Sequence, residues 1–181
     1  MLRIISGEYK GRKIEQPDLK ITRPTIDRVR EAIFSSIQFK LKNSIILDLF
    51  AGSAAFSIEA ISRGAMKSIA VENNRQALKV IENNKKKLGI SNLIIINRDA
   101  VQYTKYTSGV KFDFIFMDPP FKEYDLYNKT LQNIFQNNLL NNNGYIIIET
   151  NNKDKIEIPK GYMIQKNKKY GKKDVLLISK I

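Results

Sequence analysis

Apolar and polar residues alternate with two different periods along the chain. From Ser44 onward, continuous apolar runs typical of buried strands are separated by segments whose apolar residues recur every three to four positions, as on one helix face. The predicted strands cover residues 44–50, 67–72, 92–97, 112–117, 145–150, 162–170 and 174–180, and the predicted helices residues 53–64, 74–88, 100–106 and 124–138.

This alternation predicts an α/β fold. Apolar strands separated by amphipathic helices favour a doubly wound, mostly parallel sheet that is covered on both faces. The last two strands are joined through the short segment at residues 170–173, which predicts an antiparallel hairpin at one edge.

The first forty residues follow a different pattern. Leu2–Ile5 and Arg12–Ile14 flank a turn with two glycines, which predicts a small hairpin. After Pro24, a helix is predicted with Thr25 as its N-cap and one apolar stripe. The stripe consists of Ile26, Val29, Ile33, Phe34 and Ile37. We therefore expect an N-terminal extension over residues 1–40 and a main domain over residues 41–181.

Composition excludes several kinds of chemistry. The chain has 181 residues, enough for one independent core, and it contains no cysteine and no histidine. Disulfides, thiolate metal sites and the usual serine- and zinc-hydrolase chemistries are therefore not expected, and no metal is predicted. No apolar run is long enough to span a bilayer, and the N-terminus lacks the apolar core of a secretory signal. A cytoplasmic protein is the simplest interpretation.

The charge indicates a polyanionic partner. The net charge is +13 and the isoelectric point is about 9.8, which is typical of proteins that bind nucleic acid or an anionic membrane surface. Lysines are also spread widely over the chain, so part of this charge is equally consistent with solvated surface positions that bind nothing.

Acidic residues stand at the ends of four successive predicted strands or directly after them. These are Asp48, Glu72, Asp99 and Asp118. In open α/β sheets, ligands bind at the carboxyl ends of the strands, so the four carboxylates predict one site at that edge. The last of them begins a stiff Asp-Pro-Pro-Phe segment, in which two adjacent prolines fix the direction of the chain.

The loop after the first of these strands indicates the kind of ligand. Glu72 stands twenty residues after Gly52, the spacing at which a carboxylate binds ribose hydroxyls in nucleotide-binding βαβ units. The loop retains only Gly52, with Ala54 and Ser57 where a dinucleotide-binding loop has further glycines. A ligand without phosphates tolerates such side chains, which argues against NAD. As the alternative, Gly52 is only a turn and Glu72 only a solvated strand end.

The motifs DLFAGSAAFSIEA, VEN, RDA and DPPF, in that order, resemble those of Rossmann-type S-adenosylmethionine-dependent methyltransferases. The N-terminal RIISGEYKGRKI and RPTIDRVREAIF, together with the terminal YGKKDVLLI, are similar to one bacterial family, often called RsmD. That family methylates the exocyclic N2 of a guanine in small-subunit (16S) ribosomal RNA. The resemblance covers nearly the whole chain.

The resemblance implies roles for particular residues. Those implied to bind S-adenosylmethionine are Asp48, Phe50, Ala51, Gly52, Ser53, Glu72, Asn73, Asp99 and Ala100. Those implied to hold the target base are Asp118, Pro119, Pro120 and Phe121. The chain departs from the family at Ala54 and Ser57, where the family usually has glycine.

Basic residues near the N-terminus are candidates for contacts with RNA phosphates. They are Lys10, Arg12, Arg23, Arg28 and Arg30, with Thr25 among them. We expect them to form one basic platform beside the catalytic face, although a solvated helix face explains the arginines without RNA. The expected partner is ribosomal RNA or the small subunit, with no membrane, and the protein is expected to act as a monomer.

Three alternatives to this interpretation stay open. A DNA adenine-N6 methyltransferase shares the DPPF chemistry, but the chain has no separate DNA-reading domain. A non-catalytic RNA-binding factor of ribosome assembly is consistent with the altered glycine loop. A NAD-dependent oxidoreductase is disfavoured by the missing phosphate-binding glycines.

Overall fold

The structure, a computed structural model, describes residues 1–17, 24–119 and 123–181, with the backbone alone at residues 24–26. The strands over these residues are β1 (Leu2–Arg3), β2 (Lys13–Ile14), β3 (Ile45–Leu49), β4 (Lys67–Glu72), β5 (Leu93–Asn97), β6 (Phe112–Met117), β7 (Leu140–Thr150), β8 (Tyr162–Tyr170) and β9 (Lys173–Lys180). The α-helices are α1 (Pro24–Ile37), α2 (Ala55–Ser62), α3 (Arg75–Leu88), α4 (Ala100–Tyr106) and α5 (Tyr124–Gln136).

Seven of these strands form one sheet in the order β5-β4-β3-β6-β7-β9-β8. The pairs from β5 to β7 are parallel, and β9 runs antiparallel to both of its neighbours. Chain order reverses between β3 and β6, which places a crevice outside the carboxyl ends of these two strands. The predicted doubly wound sheet with an antiparallel edge hairpin is confirmed.

Each face of the sheet is covered by apolar packing. On one face, Tyr127, Leu131 and Ile134 of α5 recur at helical spacing and pack against β6, β7 and β9. On the other face, α1 packs against β6, β7 and β9, and α2 and α3 pack against β3 to β5. The core therefore holds the strand ends of the crevice in fixed positions.

Helix α1 matches the predicted apolar stripe but begins earlier than predicted. Val29, Ile33, Phe34 and Ile37 are all buried. The helix starts at Pro24. Proline suits the first helical position, because no backbone N–H is needed there. Thr25 therefore lies within the helix, and the prediction that it is the N-cap is wrong.

The N-terminal hairpin is fastened to α2 by a fully buried carboxylate. Glu59 accepts hydrogen bonds from the backbone N–H groups of Ile5 and Ser6, at 2.8 and 3.1 Å. It also pairs with Arg63, at 2.7 Å. The hairpin thus packs on the main domain, while the division at residue 40 into an RNA-binding extension and a methyltransferase domain stays a prediction.

In the part of the chain that the structure describes, no helix has the length and apolar character needed to cross a membrane.

Candidate active site

Strand register brings three of the four predicted carboxylates together. Leu49 pairs with Val71 of β4 and with Met117 of β6, so the residues that follow these strands lie side by side at the carboxyl edge. The negative charges of Glu72 and Asp118 both help to raise the pKa of Asp48, which agrees with their placement at the same edge. The sheet therefore assembles one acidic site at the crevice.

Asp48 is buried and tied to a chain of hydroxyl groups. Its Oδ2 accepts hydrogen bonds from the Ser57 backbone N–H at 3.1 Å and from the Ser57 Oγ at 2.8 Å. The Ser68 Oγ donates in turn to the Ser57 Oγ at 2.9 Å. Burial raises the pKa of Asp48 to about 7, the Ser57 hydrogen bonds oppose this shift, and the charges of Glu72 and Asp118 add to it.

Ser57 therefore has a role that the sequence did not reveal. It was noted only as a departure from a glycine position, but its fully buried side chain turns toward Asp48. Because the hydroxyl is bound to a core carboxylate, it does not narrow the crevice. A serine on α2 that lies one helical turn beyond a glycine loop gives no signal of such a partner in sequence alone.

Glu72 closes the loop that follows β3. Its Oε2 accepts a hydrogen bond from the Gly52 N–H at 2.8 Å, and its Oε1 accepts from the N–H groups of Asn73 and Asn74, both at 2.9 Å. Three backbone donors fix the carboxylate at the end of β4. An ionised carboxylate has about four acceptor positions, so capacity for a ligand hydroxyl remains.

The loop itself adopts a strained backbone with open space beside it. Phe50, Gly52 and Ala54 have φ values of 61°, 57° and 58°, in the left-handed region that costs a residue with a Cβ roughly 1–2 kcal/mol. A Cβ added to Gly52 would meet no atom within 4 Å. Strain held at the mouth of a crevice, next to unfilled space, is typical of a ligand-binding loop.

The acidic residue after the third predicted strand, Asp99, is the N-cap of the next helix. Asp99 caps α4, because its Oδ1 accepts a hydrogen bond from the Gln102 N–H at 2.9 Å, and Ala100 is buried as the first residue of that helix. Both residues follow β5, whose last residue, Asn97, pairs with Glu72. They lie one strand further from the crevice than Glu72.

Asp118 directly follows β6 and is solvent-exposed, whereas Pro119 is buried. The surrounding protein still desolvates the carboxylate and raises its pKa, and the charge of Lys173 opposes this shift. Pro120 and Phe121 lie outside the described residues.

Three residues near Asp118 were missed from sequence: Lys173, Glu149 and Tyr127. Lys173 pairs with the carboxylate of Glu149, which is only 7% exposed. Tyr127 donates a hydrogen bond to the Glu149 carbonyl oxygen at 2.6 Å, and burial raises its pKa, with the charge of Asp118 adding to the shift. Lys173 reaches this position because β9 runs antiparallel and begins at the carboxyl edge.

A cleft of about 650 Å³ opens beside the start of α5, a few residues beyond Asp118. Its lining carries more negative than positive groups. The lining residues are Glu123, Tyr124, Asp125, Leu126, Asn128, Lys155 and Glu157. This composition suits a ligand with N–H donors better than a phosphate.

Arg30 does not lie where the sequence predicted. It is 1% exposed, its guanidinium lies 3.1 Å from the Asp27 carboxylate, and it donates to the Arg3 carbonyl oxygen at 2.6 Å. Its Nε also lies 3.9 Å from Glu59. Arg30 fastens α1 to α2 and the hairpin, so in this structure it is not available to RNA.

The other predicted basic residues do not form one platform. Arg28 is exposed near the start of α1, while Lys10 and Arg12 are exposed on the hairpin. The hairpin turn is held at the last residue of α2, where Tyr9 N–H donates to Ser62 Oγ at 3.0 Å. That helix end lies toward the amino edge of the sheet, opposite the crevice. Arg23 and the side chain of Thr25 lie outside the described residues.

Metal ligands are not assembled at this edge. In residues 1–17, 24–119 and 123–181, no three acidic side chains converge in a way that would hold a metal ion.

Strand order, the acidic residues at the carboxyl ends of β3, β4 and β6, and the DPPF segment together define a Rossmann-type methyltransferase. The family described as "Conserved hypothetical protein 95" matches residues 2–179. The chain belongs to this family, that of ribosomal RNA small subunit methyltransferase D, which confirms the resemblance of its motifs.

Curated relatives and a solved structure agree with this assignment. Ribosomal RNA small subunit methyltransferase D of Buchnera aphidicola (subspecies Acyrthosiphon pisum) is 37% identical over 165 residues, which is 91% of this chain and 86% of that protein. The Escherichia coli K12 protein of the same name is 34% identical over 82% of this chain and 71% of its own length. A solved E. coli structure named yhhF has a TM-score of 0.89 and 30% identity, and the match covers 99% of this chain and 97% of that one.

Proposed function

We propose that this protein transfers a methyl group from S-adenosylmethionine to the exocyclic N2 of a guanine in small-subunit ribosomal RNA. The observation that carries the proposal is the placement of Asp118 beside Glu72 and Asp48 at a single strand-end crevice. Relatives named ribosomal RNA small subunit methyltransferase D support the RNA substrate.

The residues around the crevice fit S-adenosylmethionine. The Glu72 carboxylate has acceptor capacity for ribose hydroxyls, and Asp48 offers negative charge to the ammonium of the methionine part. The open space beside Gly52 leaves room for a ligand against the loop. When bound, S-adenosylmethionine supplies a methyl group on a sulfonium sulfur, which leaves as a neutral thioether.

Asp118 has the main role in orienting the target base. A guanine amino group is a weak nucleophile because its lone pair is delocalised into the ring. A hydrogen bond from that amino group to the Asp118 carboxylate, and a second to a carbonyl oxygen of the Pro-Pro segment, would localise the lone pair toward the methyl group. The prolines keep these acceptors fixed, so little reorganisation is needed in the transition state.

Removing the proton from the methylated nitrogen does not require a strong base. As the N–C bond forms, the nitrogen becomes a strongly acidic ammonium, which can pass its proton to the Asp118 carboxylate or to water. No strong base is needed, and the absence of histidine from the chain is therefore compatible with the chemistry. Phe121 would stack on the extruded base, a contact worth about 1–3 kcal/mol in other protein–nucleic acid sites.

The test of this function is label transfer. Purified protein is mixed with methyl-labelled S-adenosylmethionine and unmodified small-subunit ribosomal RNA or subunits, and acid-insoluble label is counted. We expect incorporation with RNA and none with duplex DNA. Calorimetry should show binding of S-adenosylmethionine and no binding of NAD. Binding of NAD alone would support the oxidoreductase, and RNA binding without S-adenosylmethionine binding would support the assembly factor.

We expect the affinity for S-adenosylmethionine to depend on pH through Asp48. Because the pKa of Asp48 is raised to about 7, the carboxylate is ionised above this pH and protonated below it. Affinity should therefore fall as the pH is lowered through 7. In Ser57→Ala, one hydrogen bond to the ionised form is lost, so the midpoint should move up by about 1 pH unit. Calorimetry between pH 5.5 and 8.5 measures both midpoints.

Ser36→Ala is the matched control, because Ser36 is exposed and its hydroxyl donates to the Ile33 carbonyl oxygen on the same helix, α1. It should keep the wild-type midpoint, and Asp48→Asn should lose the transition altogether. A pH profile that is the same in wild type and Asp48→Asn would remove Asp48 from cofactor binding.

A further inference from the structure

The C-terminal hairpin carries an unusual concentration of positive charge. Residues 158–173 contain six lysines and no acidic residue. Within this stretch, β8 forms the outer edge of the sheet. Every residue from 163 to 169 is exposed, so the side chains on both faces of β8 are open to solvent. Strand β8 therefore leaves both of its faces open to a partner.

Three of these lysines, Lys166, Lys168 and Lys172, form what we call the lysine edge. All three are exposed, and within the described ranges none of them makes an ion pair. Lys169 is left out because the strand register places it directly opposite the acidic Asp174 of β9. The lysine edge therefore presents positive charge that the protein itself does not neutralise.

The lysine edge leads toward the crevice. Strand β8 runs in the same direction as β7, so its last residue and the turn containing Lys172 lie at the carboxyl edge of the sheet. The next residue, Lys173, pairs with Glu149, which stands level with Asp118 on the neighbouring strand. From Lys166 to the turn is about 13 Å at about 3.3 Å per residue, long enough to meet more than one phosphate.

Two of these lysines also share a sheet face with α1. Lys166 lies opposite Leu177 and Lys168 lies opposite Val175, and both of these apolar residues pack beneath α1. Helix α1 runs in the same direction as α2, because Arg30 contacts Glu59 and, one turn later on both helices, Phe34 contacts Arg63. The start of α1, with exposed Arg28, is therefore also directed toward the carboxyl edge.

Lysines on an edge strand can also prevent the strand from pairing with an edge strand of another molecule. The opposite edge of the same sheet provides a comparison. Strand β5 has the sequence LIIIN and carries no charged residue, although it is equally an edge. Both edge strands lie three strands from β6, and of these two strands only β8 carries positive charge, so protection of an edge does not by itself account for the lysines.

We propose that the lysine edge binds the phosphate backbone of the substrate RNA and guides the strand to Asp118. The inference rests on the proposed function, since it assumes that RNA is the substrate. It moves the main RNA contact from the N-terminal hairpin, whose turn lies toward the amino edge, to the C-terminal hairpin. Contacts with phosphates position the RNA and carry no sequence information.

The test compares two triple variants of equal charge. In one, Lys166, Lys168 and Lys172 are changed to Gln. In the control, Lys42, Lys105 and Lys111, three exposed lysines toward the amino edge, are changed to Gln. Binding of a fluorescent fragment of small-subunit ribosomal RNA is measured by anisotropy from 50 to 300 mM salt.

For the lysine-edge variant we expect affinity to fall about tenfold at moderate salt, and the slope of log K against log salt to flatten by about 2–3. The control should keep the wild-type slope. In transfer assays, the lysine-edge variant should show a raised KM for RNA, and calorimetry should show an unchanged affinity for S-adenosylmethionine.

The possible failures are distinguishable. If wild-type protein transfers no methyl group to RNA, the proposed function is wrong. If wild type transfers normally and both triple variants bind RNA with the same affinity and slope, the function stands and the lysine edge is not an RNA contact. A variant that only self-associates, as judged by light scattering, while keeping wild-type RNA affinity would assign the lysines to protection of the edge.

Discussion

The Asp118→Asn variant is expected to lose methyl transfer to RNA by at least about 10²–10³-fold in kcat, the usual cost of removing a fixed polar group that acts on the transition state. The amide has nearly the shape of the carboxylate but lacks its charge, so it is a weaker acceptor for the target amino group. Affinity for S-adenosylmethionine should change little, because Asp118 is proposed to contact the base. Single-turnover transfer and calorimetry separate these two effects.

The pH dependence of the same reaction provides a second readout. Because desolvation raises the pKa of Asp118, the ionised fraction declines as the pH falls, and wild-type transfer should decline with it. The residual activity of Asp118→Asn should lack this dependence. Asp154→Asn, which alters an exposed carboxylate on the short 3-10 helix Lys153–Lys155, is the matched control and should behave as wild type. Transfer by Asp118→Asn at the wild-type rate would exclude Asp118 from the chemistry.

Glu72→Gln should weaken binding of S-adenosylmethionine by about 100-fold, since hydrogen bonds to a charged group are each worth about 1.5–3 kcal/mol. In the wild type, one oxygen accepts from Gly52 and the other from Asn73 and Asn74. Glutamine replaces one acceptor with an NH₂ donor, so one of these backbone groups would face another donor. The loop beside Gly52 would then shift and lose its fixed shape.

The loss should be measured by calorimetry, with the fold checked by circular dichroism. Glu82→Gln on the exposed face of α3 removes the same charge away from the crevice and should keep wild-type affinity. Unchanged cofactor affinity in Glu72→Gln, together with wild-type transfer, would show that the carboxylate only orders the loop.

Much of the sheet could be predicted because buried parallel strands have a strong sequence pattern. The strands at residues 67–72 and 112–117 were predicted with their observed ends. Strand β7 was predicted from residue 145 but begins at Leu140, because the Asn-rich stretch pairs with β6 through an irregularity in register. Gly144 permits this approach, since a Cβ there would lie 2.7 Å from the Asp113 carbonyl oxygen. A polar run gives no apolar signal for such a strand.

The candidate site was predictable to the extent that it follows from strand ends. Carboxylates after successive parallel strands must meet at one edge, and Asp48, Glu72 and Asp118 do so. Contacts that depend on long-range order were not predictable. Lys173 joins the site because β9 inserts between β7 and β8. Arg30 is buried where Asp27, the Arg3 carbonyl oxygen and Glu59 surround its guanidinium.

The most direct measurement of the central claim is the identity of the methylated nucleoside. Unmodified small subunits are incubated with the enzyme and labelled S-adenosylmethionine, the RNA is digested to nucleosides, and the label is located by chromatography and mass spectrometry. We predict a single labelled product, N2-methylguanosine, that is absent with Asp118→Asn. Label in N6-methyladenosine, or label that persists when Asp118 is replaced, would contradict the assignment of this crevice to guanine-N2 methylation.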